Sequence, residues 1–242
     1  MDVKIKVRRP LRELYTELAD TYERTNRILT LGLDRVWRRK GARRAARDGG
    51  GVWLDVCSGT GEMAQTLSRI APAGTRIVAL DFSLPMLSYA RMKSMAVPTS
   101  FILGDVKRLP LAEASVDLVT VSFATRNLHL SRDVLIATFR EFRRVLKPGG
   151  RFMNLETSQP RRGITRALFH AYAAVVVKRL GHRLSGSRAG YAYLSASMRS
   201  FYGAGELAAI LGEAGFAPVK ITPLLFGAAA IHLAAKQAGP AA

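Results

Sequence analysis

A chain of 242 residues with 48% hydrophobic content suits one large α/β domain with a full core. Its net charge of +19, from 37 basic and 18 acidic residues, implies an anionic partner: nucleic acid, an acidic membrane surface or acidic ligands. A single cysteine, Cys57, excludes an internal disulfide and a cysteine metal cluster, and no metal site is expected.

Residues 1–6 lack the apolar stretch of a signal peptide, and the apolar run 167–177 is well short of the roughly 20 residues that span a bilayer. The expectation is a cytoplasmic protein, with the basic surface able to rest on the inner face of the cell membrane. Residues 11–40 are predicted to be helical, with Leu11, Leu14, Leu18, Tyr22 and Thr25 on one stripe. A basic run over 35–47 ends at Gly49-Gly50-Gly51. Residues 1–50 are therefore set apart as a basic, helical N-terminal segment, expected to serve as a substrate cap, and 51–242 as the main domain.

That domain alternates strand and helix. Strands are predicted at 52–56, 76–80, 100–103, 116–123 and 151–156, and helices at 62–70, 85–95 and 132–146, the last stopped by Lys147-Pro148-Gly149-Gly150. The alternation predicts a Rossmann-like parallel sheet with helices on both faces. A helical insert over about 160–204 carries basic residues and no acidic one, with Ile164, Leu168, Ala171, Val175 and Val176 at helical spacing. Helix returns at 206–214, and runs at 219–223 and 228–235 form a terminal antiparallel hairpin.

The most informative stretch is Leu54-Asp55-Val56-Cys57-Ser58-Gly59-Thr60-Gly61-Glu62, between the first strand and its helix. Gly59 and Gly61 let backbone approach a ligand, and Asp81, at the end of the second strand, can accept both hydroxyls of a ribose. The loop alone fits a dinucleotide as well as S-adenosylmethionine. Three features favour S-adenosylmethionine. Asp55 at the first strand end suits a methionine ammonium and would repel a pyrophosphate. Asp105, closing the third strand, can meet an adenine amine. One glycine loop followed by a hairpin leaves no second mononucleotide half.

The chain resembles the ubiquinone/menaquinone biosynthesis C-methyltransferases over about residues 22–236. The resemblance rests on "YERTNRILTLGLDRVWRR", "LDVCSGTGEMA", "LDFSLPML", "GDVKRLPL", "VSFATRNL", "REFRRVLKPGGRF" and "PLLFGAAAIHLAAK". "SFATRN" and the segment from Tyr22 to Trp37 are its most specific parts. The chain departs from the family pattern at Glu23, where the family has Asp, and at Asp34, often His.

The resemblance implies the class I methyltransferase fold and methylation of a ring carbon in a prenylated hydroquinone, demethylmenaquinol foremost. Cofactor contacts are expected at Asp55, Gly59, Thr60, Gly61, Asp81, Phe82, Asp105, Val106 and Ser122. Arg126, Asn127 and Tyr22 are expected at the acceptor. The family's arginine has been read as a base, yet a guanidinium with a pKa above about 12 is better suited to stabilising a phenolate. His129 is the competing base.

On this reading Arg126→Ala cuts turnover and spares cofactor affinity. The partners expected are a prenylated quinol and an anionic membrane surface, with a homodimer left open. Alternatives are a ubiquinone-pathway benzoquinol, an RNA methyltransferase suggested by the charge, and a scaffold that binds cofactor without turnover. Nucleic acid is disfavoured because aromatics are only 8% of the chain and do not cluster with the arginines.

Overall fold

The computed structural model describes residues 11–46, 50–128, 131–161 and 163–238. Features placed by sequence at residues 1–10, Arg47, Gly49, His129, Leu130 and Arg162 lie outside the described residues.

The helix expected over 11–40 is three: α1 (Leu11–Leu18), α2 (Tyr22–Leu29) and α3 (Leu33–Ala45). The second break has a local cause. Leu31 and Gly32 take left-handed φ values of 51° and 77°, and the Gly32 N–H donates to the Arg27 carbonyl at 2.8 Å, a glycine-type helix stop.

Strand and helix then alternate through β1 (Val52–Val56), α4 (Glu62–Ser68), β2 (Arg76–Asp81), α5 (Leu84–Arg91), β3 (Thr99–Leu103) and β4 (Val116–Ser122). After the short α6 (Thr125–Leu128) come α7 (Arg132–Val145) and β5 (Leu146–Thr157). The insert holds α8 (Gly163–Ala171), a π-helical segment (Tyr172–Val177), α9 (Lys178–Ser185) and α10 (Arg188–Ser200). The chain closes with α11 (Ala204–Glu213), β6 (Val219–Leu224) and β7 (Ala229–Ala235).

The seven strands order as β3-β2-β1-β4-β5-β7-β6, with β1 to β5 parallel and β7 antiparallel to both neighbours. β5 begins five residues before the predicted 151, because Leu146 pairs with Val116 before the ladder slips and resumes at Arg151 opposite Leu118. Lys147-Pro148-Gly149-Gly150 thus makes an irregularity within a strand rather than a gap before one.

Consecutive buried residues serve opposite faces. Leu54, Val119 and Phe152 pack with Phe139, Phe142 and Leu211 of α7 and α11, whereas Trp53, Leu118 and Met153 pack with Ala42, Ala45 and Leu67 of α3 and α4. Burial on both faces explains why these strands read as continuous apolar runs. A third cluster joins the N-terminal helices to the insert: Leu18 and Leu29 pack with Phe169, Ala173, Val177, Tyr191 and Met198.

Candidate active site

Each parallel strand delivers functional groups at its carboxyl end, where open α/β sheets bind ligands. Beyond β1, Cys57 turns the chain with φ 51°; beyond β4, Phe123 does so with φ 56°. Bulky residues in this region are uncommon and concentrate at functional sites. Gly61 (φ 80°) caps α4, and a Cβ there would lie 2.8 Å from the Ala90 Cβ, so only glycine lets α4 and α5 pack this closely. A Cβ on Gly59 would meet nothing within 4 Å. Its bare backbone faces open space.

Two adjoining cavities of about 1150 and 1350 Å³, mouths included, open at this edge. The first is polar at its strand ends and takes Gly59, Thr60, Asp81, Phe82, Asp105, Val106, Ser122 and Asn127 from the predicted set. The second is walled mainly by Leu29, Leu33, Trp37, Phe169, Leu194 and Met198 and takes Arg126. Tyr22, Arg38 and Phe123 line both.

Asp81 accepts the Gly59 N–H at 2.8 Å and the Ser83 N–H at 2.9 Å. Burial raises its carboxyl pKa, and the Ser83, Gly59 and Phe82 amides oppose the rise. Asp105 accepts the Lys107 N–H at 2.9 Å. Asp55 and Gly61 are not among the residues lining either cavity. Asp55 lies opposite Thr120 in the β1–β4 register and accepts its hydroxyl at 2.7 Å.

Burial pushes the Asp55 carboxyl up to about 7, against the Thr120 hydrogen bond and Arg38. A carboxyl raised from 3.8 to about 7 holds its extra proton only in the folded state. Its contribution to stability is full below about pH 4, falls as pH rises, and is gone above about pH 7. Asp55→Asn removes that component. The melting temperature of the variant should therefore gain on wild type across pH 4–7, with no further gain above. Parallel curves would show that Asp55 does not titrate in this range.

Asn127 donates its amide to the Tyr15 hydroxyl at 2.7 Å and keeps a buried Oδ1 without a partner. Tyr15 stacks edge-on with Tyr22 and Phe82 at 5.9 and 6.4 Å between centroids. Arg126 is buried, and its guanidinium donates to the Phe123 carbonyl at 2.8 Å and to Glu156 at 2.6 Å. Burial alone would favour a neutral Arg126, but Glu156, Tyr15 and Tyr22 outweigh it and hold the pKa above the usual arginine range. Arg126 is a permanent cation here.

Sequence reasoning missed Tyr15, Arg38, Glu62 and Glu156. Glu156 stands one residue before the end of β5, in "MNLE", and the strand-end rule applied to Asp55 and Asp81 could have found it. Arg38 was hidden among the arginines of 35–47.

Sheet order and cleft together define a methyltransferase of the Rossmann-like type. The fold superposes on a SAM-dependent methyltransferase from Thermotoga maritima with a TM-score of 0.63 at 16% identity, over 94% of this chain and 100% of that one. Residues 2–236 match the family model described as the ubiE/COQ5 methyltransferase family. The ubiquinone/menaquinone biosynthesis C-methyltransferase of Rubrivivax gelatinosus is 35% identical over 228 residues, 94% of this chain and 87% of that protein. The demethylmenaquinone methyltransferase of Thermus thermophilus is 36% identical over 222 residues, 91% and 98% of the two chains. The chain belongs to the ubiE/COQ5 methyltransferase family and is a C-methyltransferase of quinone biosynthesis.

Proposed function

We propose that the protein methylates a ring carbon of a prenylated naphthoquinol, converting demethylmenaquinol to menaquinol with S-adenosylmethionine as donor. The observation that carries this reading is the junction of an acid-lined cleft with an apolar cavity across Tyr22, Arg38 and Phe123. The donor set fits S-adenosylmethionine. Asp81 and Asp105 suit a ribose and an adenine amine, and the Gly59 N–H that a pyrophosphate would need is already given to Asp81. Gly59, Thr60, Asp81, Phe82, Asp105, Val106 and Ser122 would hold it. When bound it would supply an electrophilic methyl on a sulfonium that leaves as a neutral thioether, the ring carbon exchanging a proton for the methyl.

The chain's own residues then prepare the acceptor. A hydroquinone becomes nucleophilic at carbon once a ring hydroxyl gives up its proton, so a fixed cation beside that oxygen lowers the barrier. Arg126 provides a fixed positive charge on the acceptor side. The free Asn127 Oδ1 accepts from a ring hydroxyl and orients it, and Tyr22 closes over both partners from α2. The apolar walls exclude water and hold the first part of the tail.

The acceptor cavity opens at a rim of Leu31, Leu168, Leu225 and Phe226. Leu31 and Phe226 are 88% and 83% exposed. Leu31, Leu225 and Phe226 all have positive φ. Exposed Arg35, Arg39, Lys40, Arg161 and Arg166 flank this rim in sequence. Among the described residues no helix is long and apolar enough to cross a membrane. An apolar rim with a basic surround suits peripheral contact with the anionic inner face of the cell membrane, from which a long isoprenoid tail could enter directly.

The test is labelled S-adenosylmethionine with demethylmenaquinol in anionic vesicles, the same quinol in detergent, and an RNA pool. Label is expected in the lipid. Leu31→Asp/Phe226→Asp should lose about tenfold or more in vesicles and keep detergent turnover, since two apolar anchors are gone. Label in RNA alone would overturn the acceptor; equal losses in both media would remove the membrane contact.

A further inference from the structure

The negative charge that develops on the acceptor oxygen must be met where the two cavities join, because donor and ring approach from opposite sides. Of the described residues lining both cavities, Arg38 is the one cation. It is 6% exposed and held on three sides. One guanidinium nitrogen donates to Asp34 at 2.7 Å and lies 3.2 Å from Glu62, and the group packs 5.1 Å over the Phe123 ring. Thr30 anchors Asp34 in turn at 2.8 Å. The Arg38 Nε is buried and has no partner. A desolvated N–H without an acceptor costs free energy unless a ligand completes it.

The flanking carboxylates balance this cation overall, so what it offers at the seam is an oriented, unpartnered N–H rather than net charge. The ion pairs around it join Arg27, Arg38 and Lys93 with Glu23, Asp34 and Glu62, three charges of each sign. Arg126 also has a buried Nε without a partner, but it lines the acceptor cavity only, with one guanidinium nitrogen shared between the Phe123 carbonyl and Glu156.

We infer that Arg38 is a catalytic residue of the transfer, donating through its free Nε edge to the acceptor oxygen at the seam of the two cavities. This rests on the quinol reading above. Asp34 and Glu62 fix its plane, so the donor is already oriented when charge appears on the oxygen. Arg38 also links α3 to Glu62 at the start of α4, beside the glycine loop. The titratable groups facing it are Asp34 on its own helix, Tyr22 on α2, Glu62 on α4 and Asp55 on β1.

The experiment compares Arg38→Met and Arg38→Lys with wild type on demethylmenaquinol from pH 6 to pH 10, with S-adenosylmethionine affinity by calorimetry. Arg38→Met should lower kcat about 100-fold or more at pH 7, the usual effect of removing one such donor, with cofactor Kd within about threefold. The acid limb of its kcat profile should move up by about one pH unit or more, because the bound hydroxyl has lost a neighbouring cation, and Arg38→Lys should recover part of both effects.

A kcat within about threefold of wild type, or a loss equal at every pH and matched by loss of cofactor affinity, would overturn the inference and leave Arg38 a tie between helices. Should Arg38→Met not fold, Arg38→Lys carries the test: an unmoved acid limb refutes the inference, a raised one supports it. Failure of wild type to methylate the quinol would instead defeat the acceptor reading itself.

Discussion

Arg126→Ala is expected to lower the free energy of unfolding by about 3–5 kcal/mol, the usual result of stranding one member of a buried ion pair. Glu156 is fully buried, and its carboxylate holds the Arg126 guanidinium at 2.6 Å and accepts the Arg126 backbone N–H at 3.2 Å. Without the guanidinium, the Glu156 carboxylate keeps the Thr157 amide and hydroxyl, at 2.7 and 3.0 Å, and loses its counter-charge. The simple truncation expected from sequence to isolate a kinetic role therefore mixes two effects. Arg126→Met/Glu156→Leu, which removes both charges, should recover most of the lost stability, since a buried pair replaced by apolar residues of similar volume is often neutral. In that double variant turnover should still fall about 100-fold with cofactor affinity unchanged. Urea unfolding of the three proteins decides the first point; a single-variant loss below about 1 kcal/mol would mean that Glu156 does not depend on Arg126.

Asp81→Ala should weaken S-adenosylmethionine binding by about 100-fold or more, equivalent to about 2.7 kcal/mol. Two losses combine. The carboxylate organises the glycine loop by accepting the Gly59 and Ser83 amides, and hydrogen bonds to a charged acceptor are worth about 1.5–3 kcal/mol each. The same group is placed to receive ribose hydroxyls in the first cavity. Calorimetric titration with S-adenosylmethionine and with its demethylated product measures the effect. A change below about threefold for both ligands would take Asp81 out of the cofactor site and move that site elsewhere along the sheet edge.

Much of the architecture was legible because it is written in local patterns. Apolar runs of strand length, separated by helical periods and glycine or proline stops, locate β1 to β4 and α4, α5 and α7 to within a few residues, but not the short α6. The loop Ser58-Gly59-Thr60-Gly61 announces itself because positive φ and close approach demand glycine. Asp81 and Asp105 were readable by one rule, an acid at the carboxyl end of a parallel strand. The same rule picks out Asp55, whose side chain is directed toward Thr120 by the register of β1 on β4 and lines neither cavity. Register is a relation between strands 65 residues apart, and no window of sequence contains it.

The N-terminal helical segment followed the same division. Its helical character was evident from apolar periodicity, but its breaks depended on single residues such as Leu31, and its seat depended on packing against the insert. By itself the sequence determined the α/β class and the glycine loop with its acidic strand ends. Only the tertiary structure decided which arginine pairs with Glu156, which one stands at the seam of the two cavities, and that Tyr15 meets Asn127 across 112 residues. The physical reason is range. Backbone preference and burial period act over a few neighbours, whereas the charge state and orientation of a side chain are set by whichever distant group the folded chain brings against it.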